Sequence, residues 1–129
     1  SKSKKRVLRG LHIQGKFKQA KFISVIKGKI YDVVIDLRKG SKTYGKYYSI
    51  ILSSKNNTSL FVPAGFAHGF CGLQKENIVL YGFTNYRSKK YEIGILWNDK
   101  KLKIKWPIKK PIVSNKDKKN ITFGKFFNK

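Results

Sequence analysis

The feature that most constrains this chain is a series of short runs rich in β-branched and aromatic residues, separated by clusters of Gly, Asn, Ser and Lys. Runs of four to ten such residues between turn-forming residues are typical of β-strands. Eight strands are predicted, with the sequences RVLRGLHIQ (6–14), AKFISVIK (20–27), KIYDVVIDLR (29–38), YYSIILS (47–53), SLFVP (59–63), FAHGFCGL (66–73), NIVLYGFTN (77–85) and GILWN (94–98). No long helical periodicity competes with them, so the chain is predicted to be all-β.

The number and spacing of these strands indicate one domain. About eight short strands in roughly a hundred residues suit a two-sheet β-sandwich or jelly roll better than an α/β fold. A chain of 129 residues is long enough for a single hydrophobic core and too short for two, so residues 1–129 are predicted to form one domain. The character changes over residues 100–129, where WPIKKP and SNKDKKN predict an irregular tail that wraps the surface.

The charge of the chain is strongly positive, with 30 basic and 6 acidic side chains and a net charge of +24. Such a charge suggests a polyanionic partner such as nucleic acid. Only four of the basic residues are Arg, the residue that base-edge and bidentate phosphate recognition prefers, and the lysines are scattered along the whole chain. Nucleic-acid binding therefore remains an alternative that the sequence does not favour, and a steep loss of binding with salt would identify it.

Two further features of the sequence bear on the cellular compartment of the protein. No apolar run approaches the ~18 residues that a membrane span requires, so no membrane association is expected. The single cysteine, Cys71, lies in the apolar run GFAHGFCGL and has no partner for an internal disulfide. Cys71 is predicted to be a small buried hydrophobe, and a reducing cytoplasm is the expected location.

The two-residue period of a strand gives each polar residue a predicted face. In KIYDVVIDL, Asp32 and Asp36 share a face with Ile30 and Val34, which implies half-buried carboxylates that need an Arg, Lys or His partner.

In the opening stretch the same period places His12 with Leu8, Gly10 and Gln14, and Arg9 on the opposite face. Lys21 and Tyr81 each share a face with apolar neighbours, and PAGFAHGF sets His68 among small residues that leave room for a ligand.

Each of these signals also has a purely structural interpretation. A lone histidine on a strand is more often a structural side chain than a catalyst, a strand tyrosine is more often part of the core, and a lysine in this composition is usually exposed. A metal site is not indicated, because His12 and His68 have no second histidine nearby in their strands and one cysteine adds little.

Six motifs, taken in order, resemble the dTDP-4-dehydrorhamnose 3,5-epimerase family. They are VLRGLHIQ, QAKFISVIKGKIYDVVIDLRKGSKTYGKY, FVPAGFAHGF, VLYGFTNY, ILWND and WPIKKPIVSNKD, and the similarity extends over residues 2–118. The resemblance implies a cupin-like jelly roll that needs no metal or other cofactor, forms a homodimer and acts on a dTDP-sugar in dTDP-rhamnose synthesis. The family carries an additional N-terminal segment ahead of SKSKK, so a chain truncated relative to the family is expected.

The resemblance also implies roles for particular residues. His12 corresponds to the catalytic base, Asp117 to the carboxylate that orients it, Tyr81 to the general acid on the opposite face of the sugar, and Lys21 to the cation beside the C4 oxygen. Four further positions, Arg9, Gln14, His68 and Glu92, would line or border the nucleotide-sugar site, and Asp32 would pair with His68. Arg87 departs from the family's usual NYY and is expected not to touch the four catalytic residues.

The implied reaction is epimerisation at C3 and C5 of dTDP-4-dehydro-6-deoxy-glucose through an enolate, which makes the chain an isomerase. The sequence leaves open an epimerase that inverts C3 alone, one that uses another nucleotide or sugar, and a catalytically inactive jelly roll that only binds a sugar nucleotide.

Overall fold

The computed structural model of the chain describes residues 1–16 and 18–127, and most of its regular structure is β-strand. The strands are β1 (Lys2–Lys4), β2 (Val7–Gln14), β3 (Lys21–Lys27), β4 (Lys29–Asp36), β5 (Tyr47–Ser53), β6 (Leu60–Val62), β7 (Phe66–Gly72), β8 (Glu76–Phe83), β9 (Glu92–Gly94) and β10 (Ile112–Val113). The helices are short: a 3₁₀ turn (Lys89–Tyr91), α1 (Asn115–Lys118) and α2 (Phe123–Phe127).

The strands form two sheets. One has four strands in the order β1-β8-β3-β6, and the other has six, in the order β10-β2-β7-β4-β5 with β9 also paired to β2. Neighbouring strands are antiparallel, except that β10 runs parallel to β2. The all-β, two-sheet jelly-roll fold predicted from the sequence is confirmed.

Seven of the eight predicted strands are present, and the differences lie in the shortest elements. The predicted strand over 94–98 is wrong in its bounds, since β9 ends at Gly94; beyond it, Ile95 has an isolated bridge to Ile121 and two backbone hydrogen bonds with Leu11, at 2.8 and 3.2 Å. Strands β1 and β10 were not predicted, because three and two residues are too few to show a period. The predicted irregular tail contains β10, α1 and α2, and its last two residues, 128–129, lie outside the described residues.

The main core lies between the two sheets, and a second apolar layer covers the outer face of the six-stranded sheet. Val33 and Ile35 of β4 point into this outer layer, where Leu102 and Trp106 of the tail pack against them. The prediction that Asp32 and Asp36 are half-buried is wrong: both lie on the inner face of β4, with Ile30 and Val34, and both are fully buried. The clusters comprise Ile23, Val25, Ile30, Val34, Leu52, Val62, Phe70 and Val79 between the sheets, and Leu11, Val33, Ile35, Leu37, Ala67, Ile95 and Leu102 outside.

Both buried carboxylates have the kind of partner that the sequence predicts. Asp36 accepts two hydrogen bonds from the Arg38 guanidinium, at 3.0 and 3.1 Å. Together with the Ser41 and Thr43 hydroxyls, that guanidinium holds the pKa of Asp36 well below its usual range. Asp32 pairs with His68, as described below.

Two observations bear on the predictions about Cys71 and about membrane spans. Cys71 is buried as predicted, and burial raises the pKa of its thiol to about 11. Over residues 1–16 and 18–127, no helix combines the length and the hydropathy needed to cross a bilayer.

We expect Gly10→Ala to destabilise the protein much more than Gly40→Ala. Both glycines have positive φ (+116° and +86°), but a Cβ at position 10 would lie 2.7 Å from the Gly69 Cα, whereas one at position 40 meets nothing within 4 Å. Backbone strain alone should lower the free energy of unfolding by about 1–2 kcal/mol at Gly40, and the added clash should bring the loss at Gly10 to about 3 kcal/mol or more. Urea unfolding of both variants measures the difference, and equal losses would contradict the close approach.

Candidate active site

A cavity of about 420 Å³ opens between the two sheets, within the range of small-molecule sites. The residues that line it are Ser1, Arg9, His12, Gln19, Lys21, His68, Gly69, Phe70, Tyr81, Phe83, Arg87, Glu92, Ser114, Lys116 and Asp117. The structure thus brings together seven of the nine residues that the sequence singled out. Gln14 and Asp32 are the two outside this lining: Asp32 pairs with His68, and Gln14 lies opposite Glu92 in the β2–β9 pair.

A bulge in β2 places Arg9 and His12 on the same side of the sheet. Arg9 pairs with Phe70 and His12 with His68, so a step of three residues on β2 is matched by a step of two on β7. The extra residue reverses the alternation, and both side chains reach the cavity. The prediction that Arg9 faces away from His12 is therefore wrong, because it assumed an unbroken strand period.

His12 makes its hydrogen bond with Asp117, which lies 105 residues away in the chain. The His12 Nε2 and Asp117 Oδ1 atoms are 2.7 Å apart, and the His12 side chain keeps 25% of its surface exposed toward the cavity. Asp117 lies in α1, where its backbone N–H donates to the Ser114 hydroxyl at the helix start, at 3.1 Å. The cap fixes the helix turn that carries the carboxylate.

The second oxygen of Asp117 is also used. Its Oδ2 accepts the Gly10 N–H at 3.1 Å, and the Asn120 amide donates to Oδ1 and to the Gly10 carbonyl, each at 3.4 Å. Burial would raise the pKa of Asp117, but the hydrogen bonds from His12 and Gly10 outweigh it and lower that pKa below its usual value. Asp117 is held as a carboxylate beside the imidazole.

Lys21 and Tyr81 reach the cavity from the opposite, four-stranded sheet. The shared face predicted for each side chain is confirmed, since Lys21 lies on the side of buried Ile23 and Tyr81 on that of buried Val79, and both line the cavity. Burial lowers the pKa of the Lys21 ammonium, and the charges of Glu92 and Asp32 oppose that fall. Burial, helped by the charge of Asp32, raises the pKa of the Tyr81 hydroxyl far above its usual value, so Tyr81 is a protonated phenol at neutral pH.

Behind the cavity, His68 and Asp32 form a buried pair. The His68 Nε2 and Asp32 Oδ1 atoms are 2.5 Å apart, and both side chains are almost wholly buried. Tyr81 packs edge-on against the His68 ring, with 6.2 Å between ring centroids. The Asp32 Oδ2 atom has no hydrogen-bond partner among the described residues. The charge of Asp32 acts on two neighbouring groups, Lys21 and Tyr81. The pairing predicted for these two residues is present.

Gln14 and Glu92 hold the rim of the cavity. The Gln14 amide donates to the Tyr86 carbonyl at 3.1 Å and its oxygen accepts the Ser88 N–H at 2.8 Å, so Gln14 anchors the segment after β8. Glu92 lines the cavity and accepts from Lys116 at 2.9 Å and from Arg87 at 3.3 Å. These ion pairs outweigh the effect of burial and lower the pKa of Glu92.

Sequence reasoning missed several residues of the site. Arg87, expected only not to touch the four catalytic residues, bonds Glu92 and lines the cavity. Lys116 also lines it, and its position next to Asp117 in SNKD was a signal that could have found it. The sequence carries no such signal for Arg87, nor for Asn120, whose amide reaches the Gly10 carbonyl from 110 residues away.

The charges of the cavity suit an anionic organic ligand. Four cationic side chains line it, Arg9, Lys21, Arg87 and Lys116, against the carboxylates of Glu92 and Asp117. In the part of the chain that the structure describes, no group of three or more His, Cys, Asp or Glu side chains is arranged to hold a metal ion.

Comparisons with known proteins point to one family. The family model described as dTDP-4-dehydrorhamnose 3,5-epimerase matches residues 1–125. The dTDP-4-dehydrorhamnose 3,5-epimerase of Shigella flexneri is 47% identical over 118 residues, which is 91% of this chain and 65% of that protein. The chain therefore spans a little under two thirds of the length of this curated relative.

Solved structures agree with the sequence comparison. The dTDP-6-deoxy-D-glucose-3,5-epimerase of Legionella pneumophila, in complex with dTDP-4-keto-L-rhamnose, superposes with a TM-score of 0.92 at 39% identity, over 95% of this chain and 65% of that one. A 3'-monoepimerase of Streptomyces bikiniensis, in complex with dTDP-quinovose, has a TM-score of 0.92 at 27% identity, over 99% of this chain and 66% of that one.

We expect the stabilising effect of Asp117 to depend on pH. Because the pKa of Asp117 is lower in the folded protein than the value of about 3.9 in an unfolded chain, its contribution is complete above that pH and disappears as pH falls through the lowered pKa. Asp117→Asn should lower the free energy of unfolding by about 1–3 kcal/mol at pH 7, and the difference from the unaltered protein should shrink below about pH 4.

Denaturant unfolding over pH 2.5–7 measures this difference. Glu76→Gln is the control, because Glu76 forms an exposed ion pair with Lys27 that contributes at most about 1 kcal/mol. A loss for Asp117→Asn that stays constant with pH would show that the carboxylate charge contributes nothing.

Proposed function

Because the chain belongs to the dTDP-4-dehydrorhamnose 3,5-epimerase family, we propose that it epimerises dTDP-4-dehydro-6-deoxy-glucose at C3 and C5 and forms dTDP-4-dehydro-rhamnose. The observation that carries this proposal is the arrangement of proton-transfer groups. A histidine and a tyrosine face one cavity from opposite sheets, with a lysine ammonium beside them.

The chemistry follows from the C4 ketone of the substrate. The C–H bonds at C3 and C5 are acidic because the ketone stabilises the carbanion as an enolate. Inversion requires that a proton leave one face of the sugar and that another arrive on the opposite face. The ketone itself supplies the acidity, so the reaction as proposed uses no metal or other cofactor.

His12 is the proposed base. An imidazole changes charge near neutral pH, and a positioned base of this kind typically contributes a factor of ~10²–10⁴ to the rate. Asp117, 2.7 Å from His12 Nε2, fixes the ring orientation and stabilises the imidazolium that forms when His12 takes the proton. The Nδ1 atom of His12 is then the nitrogen directed at the sugar.

Lys21 and Tyr81 act on the products of this proton removal. The enolate oxygen gains negative charge, and the Lys21 ammonium, whose charge Glu92 and Asp32 favour against the effect of burial, is placed to stabilise it. Tyr81 is the proposed acid, since its phenol is protonated at neutral pH and reaches the cavity from the four-stranded sheet, opposite His12. The His68–Asp32 pair supports the Tyr81 ring from behind.

The remaining cations are assigned to binding. Arg9, Arg87 and Lys116 lie around the cavity and would contact the diphosphate of a dTDP-sugar, for which charge-assisted hydrogen bonds are strong. Glu92 holds Arg87 and Lys116 at the rim, and Gln14 anchors the neighbouring segment. Nucleic acid and membranes are not proposed as partners. The cytoplasm is the proposed location, in keeping with a free buried Cys71.

Epimerisation at C3 alone is a second candidate. The specific observation that favours it is the likeness to the Streptomyces bikiniensis 3'-monoepimerase, at a TM-score of 0.92. The same groups would serve both reactions, since the number of inverted centres depends on whether C5 as well as C3 comes between His12 and Tyr81.

We also propose that the chain forms a homodimer through the outer face of the four-stranded sheet. Phe22, Ile26, Phe61 and Leu80 are exposed there, each with about half or more of its surface accessible. A chain with a net charge of +24 repels its own copies, and this apolar patch would give two copies an uncharged area of contact, with Lys2 and Lys4 of β1 at its edge on the same face.

We expect His12→Ala to slow isotope exchange at C3 and C5 by about 10²–10⁴-fold. The protein and the variant are incubated with dTDP-4-dehydro-6-deoxy-glucose in heavy water, and proton NMR follows the two signals. Tyr81→Phe should behave differently, because His12 still removes a proton and returns a deuteron from the same face: exchange continues while the inverted product falls. Unchanged dTDP affinity of both variants controls for the fold.

The outcomes separate the candidates. Loss of the C3 signal alone with the unaltered protein would select the monoepimerase. No exchange at either carbon despite dTDP binding would leave only a sugar-nucleotide-binding jelly roll. Exchange that survives in His12→Ala would contradict the assignment of the base.

For the dimer, we expect Phe22→Lys to shift the protein to monomers. A lysine at the centre of an apolar contact should weaken association by about 30-fold or more, as removal of a central apolar contact does. Sedimentation velocity measures the change. Ile112→Lys is the matched control, since Ile112 is similarly exposed but lies on β10 in the other sheet. A monomeric unaltered protein, or equal effects of both variants, would contradict this interface.

A further inference from the structure

A second groove, larger than the candidate active site, lies at the other end of β1. Its volume is about 1060 Å³, and four segments form it: β1, the turn between β3 and β4, the end of β5, and the connection from β7 to β8. Ser1 lines the active-site cavity, whereas Lys4 lines this groove. The two sites are therefore separate.

The charge of this groove is almost entirely positive. Six lysines and one carboxylate, that of Glu76, line it; the lysines are Lys2, Lys4, Lys27, Lys29, Lys55 and Lys75. The active-site cavity differs, because its cations face the carboxylates of Glu92 and Asp117. The concentration of uncompensated lysine in one concave surface is thus a property of the fold and not only of a basic composition.

The single carboxylate of the described groove lining, Glu76, is already paired with a lysine. Glu76 accepts from Lys27 at 2.8 Å, and the positive charges of Lys27 and Lys2 lower its pKa. For Lys4, Lys29, Lys55 and Lys75, the described residues provide no carboxylate within ion-pair distance. Four ammonium groups therefore share a groove without a counter-charge from the protein, which favours an anion between them.

The other lining residues restrict the kind of anion. They are small or polar: Ser3, Gly28, Ser53, Ser54 and Gln74. The described lining contains no aromatic side chain on which a base could stack and no arginine that could form a bidentate contact. A ligand that presents charge along its length without bases matches these residues better than a nucleic acid does.

We propose that this groove binds a chain of linked phosphates, such as inorganic polyphosphate, with Lys4, Lys29, Lys55 and Lys75 as its main contacts. Lysine ammonium groups act as point charges that accommodate phosphates in varied orientations, as a flexible phosphate chain requires. The site is independent of the proposed epimerase reaction.

The test compares two variants of equal charge. In one, Lys4, Lys29, Lys55 and Lys75 are replaced together by Gln; in the control, Lys42, Lys100, Lys105 and Lys109, exposed lysines away from both cavities, are replaced in the same way. Binding of polyphosphate is measured by calorimetry over a range of salt concentrations. We expect the groove variant to bind at least about tenfold more weakly, and the slope of log affinity against log salt to fall by about 3, while the control changes little.

Several outcomes would overturn the proposal. Equal losses in both variants would show that only the diffuse charge of the chain attracts the phosphates. Tighter binding of an oligothymidylate with the same number of phosphates would show that the groove prefers nucleic acid. Unchanged epimerase activity and urea unfolding of the groove variant ensure that a loss of binding does not reflect a loss of fold.

Discussion

The close approach of β2 and β7 at Gly10 and Gly69 is the contact on which the site depends. A Cβ on Gly10 would lie 2.7 Å from the Gly69 Cα, and one on Gly69 would lie 2.7 Å from the Arg9 carbonyl oxygen. Only two glycines allow the strands to meet this closely. The bulge at the same point turns Arg9 and His12 to one side and leaves the Gly10 N–H free to bond Asp117. The position of the imidazole and that of its carboxylate partner thus have a common origin.

A second constraint is the scarcity of carboxylates in a chain with a net charge of +24. Of six acidic residues, Asp117 and Glu92 line the active-site cavity and Asp32 lies directly behind it. Each is held by a histidine or by cations, and together they stabilise Lys21 and orient His12. The fold therefore concentrates its few negative charges where a positive group must be positioned. The lysines of the second groove are left without such compensation.

The orientation and burial of the site residues could be predicted from the sequence to different extents. Lys21 and Tyr81 lie where β3 and β8 pair in regular register, so the two-residue period correctly placed each on a face with apolar neighbours. The period failed for Arg9 because a bulge interrupts it, and it gave the face of Asp32 but not its full burial, which results from the packing of the two sheets. Neither the bulge nor that packing leaves a local pattern. The pairing of His12 with Asp117 was expected only from the resemblance to a family, since no spacing rule connects residues 105 positions apart.

By itself, then, the sequence determined the all-β class, most strand positions and the set of side chains able to transfer protons, because these depend on local periodicity and residue type. The tertiary structure decided which of them meet. Lys116 reaches Glu92 from 24 residues away, and four separate segments of the chain bring their lysines into one groove. Such contacts are fixed by how the two sheets and the tail pack together, and packing of that kind has no signature in a short stretch of sequence.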